Sequence, residues 1–250
     1  MVNEALLISG ADVPFIEAGL TIHQPTLEEI GLIGGETEFR WACEVLNISK
    51  ESLKQDVDKS VLENIDNFDI FMKLMNDTDN DMHSLKESAI NLLSILFPSY
   101  EMTISRDALV FTKDSEAHSI RKDTFPKFQQ ILVDICCLQN HDKKSKDEYN
   151  PKGLIAQQIA EKLKKGRAQA ALSKGDNKIS ILSRYTSILA IGLKIDLRVL
   201  CRYTVYQIYD QFKRYQLYEA HDMNIRARLA GATELEDPED WKQDLYSDLK

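Results

Sequence analysis

The sequence has few of the residues from which metal and redox sites are built. Its 250 residues include only four cysteines and five histidines. No CxxC pair occurs, and the histidines are scattered without an HExxH or HxE spacing. Zinc sites and catalytic triads need such side chains at defined spacings or brought together by the fold. We therefore expect the cysteines to be buried, reduced thiols.

The sequence also lacks a phosphate-binding loop and a complete calcium loop. The glycines of GLIGG do not make GxGxxG, and no GxxxxGK[ST] occurs. The stretch DTDND has carboxylates at the first, third and fifth positions of an EF-hand loop. However, Met82 and Ser88 occupy its sixth and twelfth positions, which require glycine and glutamate. We predict no catalytic residue, no cofactor, no metal and no enzymatic activity.

No hydrophobic run is long enough to cross a bilayer. The most apolar stretch, AINLLSILF, covers only residues 89–97, whereas a membrane-spanning helix needs about 20 apolar residues. The first residues, MVNEALLISGADVPF, lack the basic and long apolar regions of a secretory signal. Neither a membrane partner nor secretion is expected from these features.

The excess of acidic residues argues against binding to nucleic acid. The formal net charge is −9, whereas phosphate binding needs clustered lysine and arginine. One basic run lies at residues 161–174 and is more simply a solvated helix face. Residues 232–250 are strongly acidic. Basic and acidic segments in one chain favour intramolecular or protein–protein pairing.

Hydrophobic periodicity predicts a mainly α (α+β) fold, a helical bundle with two small β-hairpins near residues 5–24 and 100–113. Capping boxes at Thr26–Glu29 and Ser84–Glu87 predict helix starts. Gly192 is expected to end one helix. A long C-terminal helix is predicted from about residue 196 to residue 230, with Gly231 as its stop.

The polar stretch NHDKKSKDEY, residues 140–149, is the clearest linker in the chain. It predicts an N-terminal α+β region at 1–140 and a C-terminal helical region at 150–250. We find no internal repeat and no low-complexity tract in either region.

The predicted long helix carries an aromatic ring at every third residue between 203 and 218. A helix turns about 100° per residue, so rings at this spacing move around the axis. Leu197, Ile208 and Phe212 define an apolar stripe typical of a core-facing side. The candidate partner-binding residues lie on a second face, away from that stripe: Tyr203, Tyr206, Tyr209 and Leu217. Tyrosine is common at interfaces, but another helix, such as ISILSRYTSILAIG, would account for the second face equally well.

Several segments resemble proteins encoded in the tail gene clusters of tailed bacteriophages. They are LTIHQPTLEEIGLIG, EMTISRDALVFTK, NPKGLIAQQIAEKLKKGR and TVYQIYDQFKRYQLYEAHDMNIRARLAGATELEDPEDW. The resemblance is a scatter of weak motifs over most of the chain. Such proteins resemble tail assembly chaperones, and none of these motifs is a catalytic signature.

The resemblance implies a non-enzymatic phage tail morphogenesis protein that binds the tape measure or tail tube protein. It implies residence in the host cytoplasm during phage assembly and absence from the finished virion. The alternative is a permanent structural component of the tail, neck or baseplate, located in the virion tail. Self-association is compatible with either role.

Overall fold

The structure, a computed structural model, describes residues 2–50, 65–76, 83–138, 180–232 and 242. Helices predominate, and two small antiparallel sheets accompany them. The predicted mainly α (α+β) fold is confirmed. The described helices are α1 (Glu4–Ser9), α2 (Leu27–Leu32), α3 (Glu36–Leu46), α4 (Asn67–Asn76), α5 (His83–Leu96), α6 (Phe125–Ile135), α7 (Ile181–Leu193), α8 (Leu197–Leu200) and α9 (Val205–Leu229). The strands are β1 (Val13–Phe15), β2 (Leu20–Ile22), β3 (Glu101–Ile104), β4 (Leu109–Lys113) and β5 (Glu116–Ile120).

The first hairpin is shorter than the sequence predicted. Strands β1 and β2 pair antiparallel with Val13 opposite Ile22. The preceding residues, predicted as part of a strand, instead form helix α1. The Asn3 side chain accepts a hydrogen bond from the backbone NH of Ala5 at 2.9 Å, and Gly10 ends the helix in the left-handed conformation. This pair of caps stabilises a short helix where a strand of the first hairpin was predicted.

The second predicted hairpin is part of a three-stranded meander in the order β3–β4–β5. Ile104 lies opposite Leu109 across the predicted turn. The third strand follows a second tight turn at Asp114 and Ser115, whose φ angles are 50° and 70°. Two consecutive residues with positive φ are typical of a two-residue hairpin turn. The sequence prediction missed β5 because neither turn residue is a glycine.

The core lies between α3, α5, α6 and the face of the meander. Its largest buried rings pack against each other: Phe71 lies 5.1 Å from Phe125, and Phe97 lies 4.2 Å from Phe111 between ring centroids. Gln129 is 7% exposed in this apolar environment and donates hydrogen bonds from Nε2 to two backbone carbonyls, those of Leu46 and Ile48. Burial of this amide is tolerated because its polar atoms have partners.

Buried residues of the C-terminal part belong to the same hydrophobic core. Leu182, Val205, Tyr206 and Ile208 pack with residues from the first half of the chain. The described residues of 2–138 and 181–232 belong to one compact unit. The predicted linker at 140–149 lies outside the described residues. The division into regions 1–140 and 150–250 therefore remains a prediction.

The predicted long helix is interrupted near its start. Helix α8 ends at Leu200, and α9 begins only at Val205. Thr204 caps α9 by accepting the backbone NH of Gln207, and the Gln207 side chain accepts the backbone NH of Thr204. This reciprocal pair is a capping box, TVYQ, that the sequence analysis overlooked. The predicted C-terminal end agrees with the structure, because α9 stops at Leu229 and Gly231 adopts a φ of 96°.

Candidate partner-binding surface

The predicted second face of the long helix is largely covered. Tyr206 is 4% exposed and belongs to the core, while Tyr203 and Tyr209 are half-buried and pack against it. Leu217 is also half-buried. The expectation that these rings face away from the core is wrong for Tyr206, since packed side chains surround this helix near its start. Partner binding by the four residues remains a prediction, and Tyr206 is poorly placed for it.

Helix α7 packs against α9, as the alternative interpretation of the second face proposed. The Tyr185 ring stacks on Phe212 with centroids 3.7 Å apart and an interplanar angle of 9°. The same ring meets Tyr209 edge-on at 5.6 Å. Burial raises the pKa of the Tyr209 hydroxyl, and the Cys137 thiol adds to the rise. A tyrosine enclosed in this way supplies packing area to the monomer and presents little of it to a partner.

Gly192 allows α7 and α9 to approach closely. A Cβ atom at this position would collide with the Tyr215 ring. The sequence analysis expected Gly192 to end the helix, but α7 continues through it to Leu193. The glycine leaves room for the Tyr215 ring and does not end the helix. Since Tyr185 contacts Phe212 and Gly192 faces Tyr215, the two helices run side by side in the same direction.

The start of α9 is joined to the start of α2 by backbone hydrogen bonds. Thr26 and Thr204, the caps of these two helices, form an antiparallel bridge. The NH of Val205 donates to the carbonyl of Pro25 at 3.1 Å, and the NH of Leu27 donates to the carbonyl of Tyr203 at 3.2 Å. The capping box predicted at Thr26 is confirmed. These hydrogen bonds hold the first turns of α2 and α9 together, although the two helices are distant in the sequence.

A histidine supports this junction. His23 Nδ1 lies 2.9 Å from Asp12 Oδ1, and His23 Nε2 lies 3.2 Å from Glu29 Oε1. The Glu29 carboxylate also accepts the backbone NH and the hydroxyl of Thr26. These contacts hold the first turn of α2 in place, which gives His23 a structural role.

Apolar side chains are exposed where α7 ends and α8 begins. We name this set the apolar ridge. The most exposed member is Ile191, at 81%. The ridge consists of Ile188, Ile191, Leu193, Leu197 and Val199.

The helices α7 and α8 also contribute to a small buried apolar cluster. Leu189 and Leu200 are fully buried there with Phe212. Exposed apolar side chains on packed helices are typical of a protein-interaction surface, because little conformational entropy is lost when a partner binds. Helical periodicity had placed Leu197 on the core-facing stripe, but this residue is 51% exposed and lies on α8.

Burial raises the pKa of two of the core cysteines. Burial raises the pKa of the Cys136 thiol well above its ordinary value, and a hydrogen bond with Cys43 adds to the shift. Burial raises the pKa of Cys137 to about 12. Thiols held in the protonated form are weak nucleophiles. In the described ranges, no three acidic, histidine or cysteine side chains are arranged to hold a metal ion.

The stretch DTDND at residues 77–81 and the basic run at 161–174 lie outside the described residues. Within the described part of the chain, no helix is both long enough and apolar enough to span a membrane.

Residues 174–246 match the family model described as the YomV second domain. This family is phage-associated. The matched segment includes α7, α8 and α9, and therefore the whole apolar ridge. No curated protein and no solved structure matches the chain. The family match is compatible with a role in phage morphogenesis.

Proposed function

We propose that the chain is a non-enzymatic phage tail morphogenesis protein, a tail assembly chaperone that binds the tape measure protein. The observation that carries this proposal is the apolar ridge, which lies within the segment matched to a phage-associated family. In this role the protein acts in the host cytoplasm while the tail is assembled. It needs no cofactor, because its activity consists of covering a surface.

The ridge suits a helical partner with apolar side chains. Helix-in-groove recognition uses such contacts at positions three, four and seven residues apart. Ile191 stands out from α7, and Leu197 and Val199 lie just beyond the end of that helix, about half exposed. A long helical protein that is prone to aggregate before assembly would be shielded by contacts of this kind.

Replacing Ile191 by aspartate is expected to weaken tape measure binding about tenfold or more, because a charge would be buried against an apolar partner. The free protein should remain folded, since the side chain is 81% exposed. Leu32→Asp is the matched control: Leu32 is 82% exposed on α2, outside the matched segment. Binding is measured by titrating each variant against the purified tape measure protein of the same phage.

Equal binding by the wild type, Ile191→Asp and Leu32→Asp would reject the ridge as the binding surface. No measurable binding by the wild type would reject the proposed function itself. Thermal melts of the three proteins show whether any loss of binding results from unfolding.

A tail assembly chaperone should be present in infected cells but absent from purified virions. Quantitative mass spectrometry of both samples measures this directly. Near-stoichiometric amounts of the chain in virions would contradict the chaperone role and indicate a permanent component of the tail, neck or baseplate.

A further inference from the structure

The outer part of α9 leaves the core. None of residues 213–229 is buried, although the helix continues unbroken to Leu229. At about 1.5 Å per residue, this part is about 25 Å long. Helix α7, which covers the first part of α9, ends at Leu193, soon after the contact between Gly192 and Tyr215.

One side of this outer part carries an apolar stripe formed by Tyr218, Ile225 and Leu229. These side chains are 49%, 43% and 84% exposed. Successive steps of seven and four residues place them within about 40° of one another around the helix axis. This spacing is that of the contact positions of a two-helix coiled coil. Met223 is also exposed, at 64%, but lies about 140° away from the stripe.

We propose that two copies of the chain associate through this stripe, with their α9 helices antiparallel. In the register that places Tyr218 against Leu229 of the second copy, Glu219 faces Arg226 of the second copy. The two-fold symmetry of the dimer repeats this contact. Two ion pairs, each between Glu219 of one copy and Arg226 of the other, therefore flank the stripe. This charge complementarity identifies a second copy as the occupant.

The parallel arrangement is disfavoured by an acidic residue within the stripe. Asp222 lies about 40° from Tyr218, and parallel helices would place it against Asp222 of the second copy. In the antiparallel register it faces Ile225 of the second copy and keeps its own ion pair with Arg226 at 2.8 Å. Like charges facing each other at the centre of a contact oppose association.

This inference does not rest on the proposed function, because the apolar ridge lies on other helices. The test is sedimentation equilibrium over a concentration series. The wild type is expected to reach twice the chain mass of 28.6 kDa. Ile225→Asp is expected to raise the dimer dissociation constant about tenfold or more. Met223→Asp, on the same helix but off the stripe, should leave that constant nearly unchanged.

Charge reversal tests the antiparallel register. Glu219→Arg and Arg226→Glu should each weaken the dimer. The double variant should form a tighter dimer than Arg226→Glu alone, because the pairs between the copies are restored with their signs exchanged, although Asp222 loses Arg226 as its partner. Circular dichroism of each variant, diluted to the monomer, checks that the helix is retained. A wild type that stays monomeric at every concentration would overturn the proposal. So would a dimer that is disrupted by Ile191→Asp and not by Ile225→Asp, or a double variant weaker than both single ones.

Discussion

Tyr206→Ala is expected to lower the free energy of unfolding by about 3–5 kcal/mol, in the range measured for removing a large buried ring. The residue is 4% exposed and packs in the main core beside Val205 and Ile208. Removing the ring would leave a cavity that the rigid helix start, fixed to α2 by backbone hydrogen bonds, cannot easily close. Chemical denaturation of the isolated protein measures the change.

Two further variants calibrate this result. Ile208→Ala, at a fully buried position, should cost about 2–5 kcal/mol. Met223→Ala, on the outer part of the same helix and 64% exposed, should change stability by no more than about 0.5 kcal/mol. If Tyr206→Ala behaves like Met223→Ala, the ring is not packed in solution and the predicted partner-binding face at Tyr203, Tyr206, Tyr209 and Leu217 regains support.

Gln129→Leu is expected to cost about 2–4 kcal/mol, although leucine has nearly the same size and fits an apolar core. The cost arises because the carbonyls of Leu46 and Ile48 lose their donor, at 3.2 and 3.0 Å, and Asn67 loses its acceptor. These contacts connect α6 to the end of α3 and the start of α4. The measurement is again the free energy of unfolding from denaturant titration.

Gln130→Leu is the matched control for this variant. Gln130 is the next residue on α6 and is half-buried, and within the described part of the chain its side chain bonds to Asp134 on its own helix at 3.1 Å. Its replacement should change stability by about 0.5 kcal/mol or less. Equal effects at the two positions would show that the backbone carbonyls find other partners when Gln129 is lost.

Local signals in the sequence were sufficient to predict most of the helical structure. The capping box at Thr26, the stop at Gly231 and the apolar periodicity of α6 all depend on residues within a few positions of one another. Propensity, capping and periodicity act over that range, so the fold class and the helix ends at Thr26 and Gly231 follow from them. Neither α1 nor β5 was predicted, because residues 5–9 were assigned to a strand and the turn before β5 contains no glycine.

The sequence by itself determined where α9 has its rings, but only the tertiary structure decided which of them are covered. The cover comes from Tyr185 on α7, and the close approach of that helix depends on Gly192 facing Tyr215. The start of α9 is set by hydrogen bonds to the Pro25 region, far away along the chain. A helical wheel contains no information on such long-range contacts. For that reason it placed the partner-binding face at Tyr206, while the exposed apolar side chains lie on the ridge and on the outer part of α9.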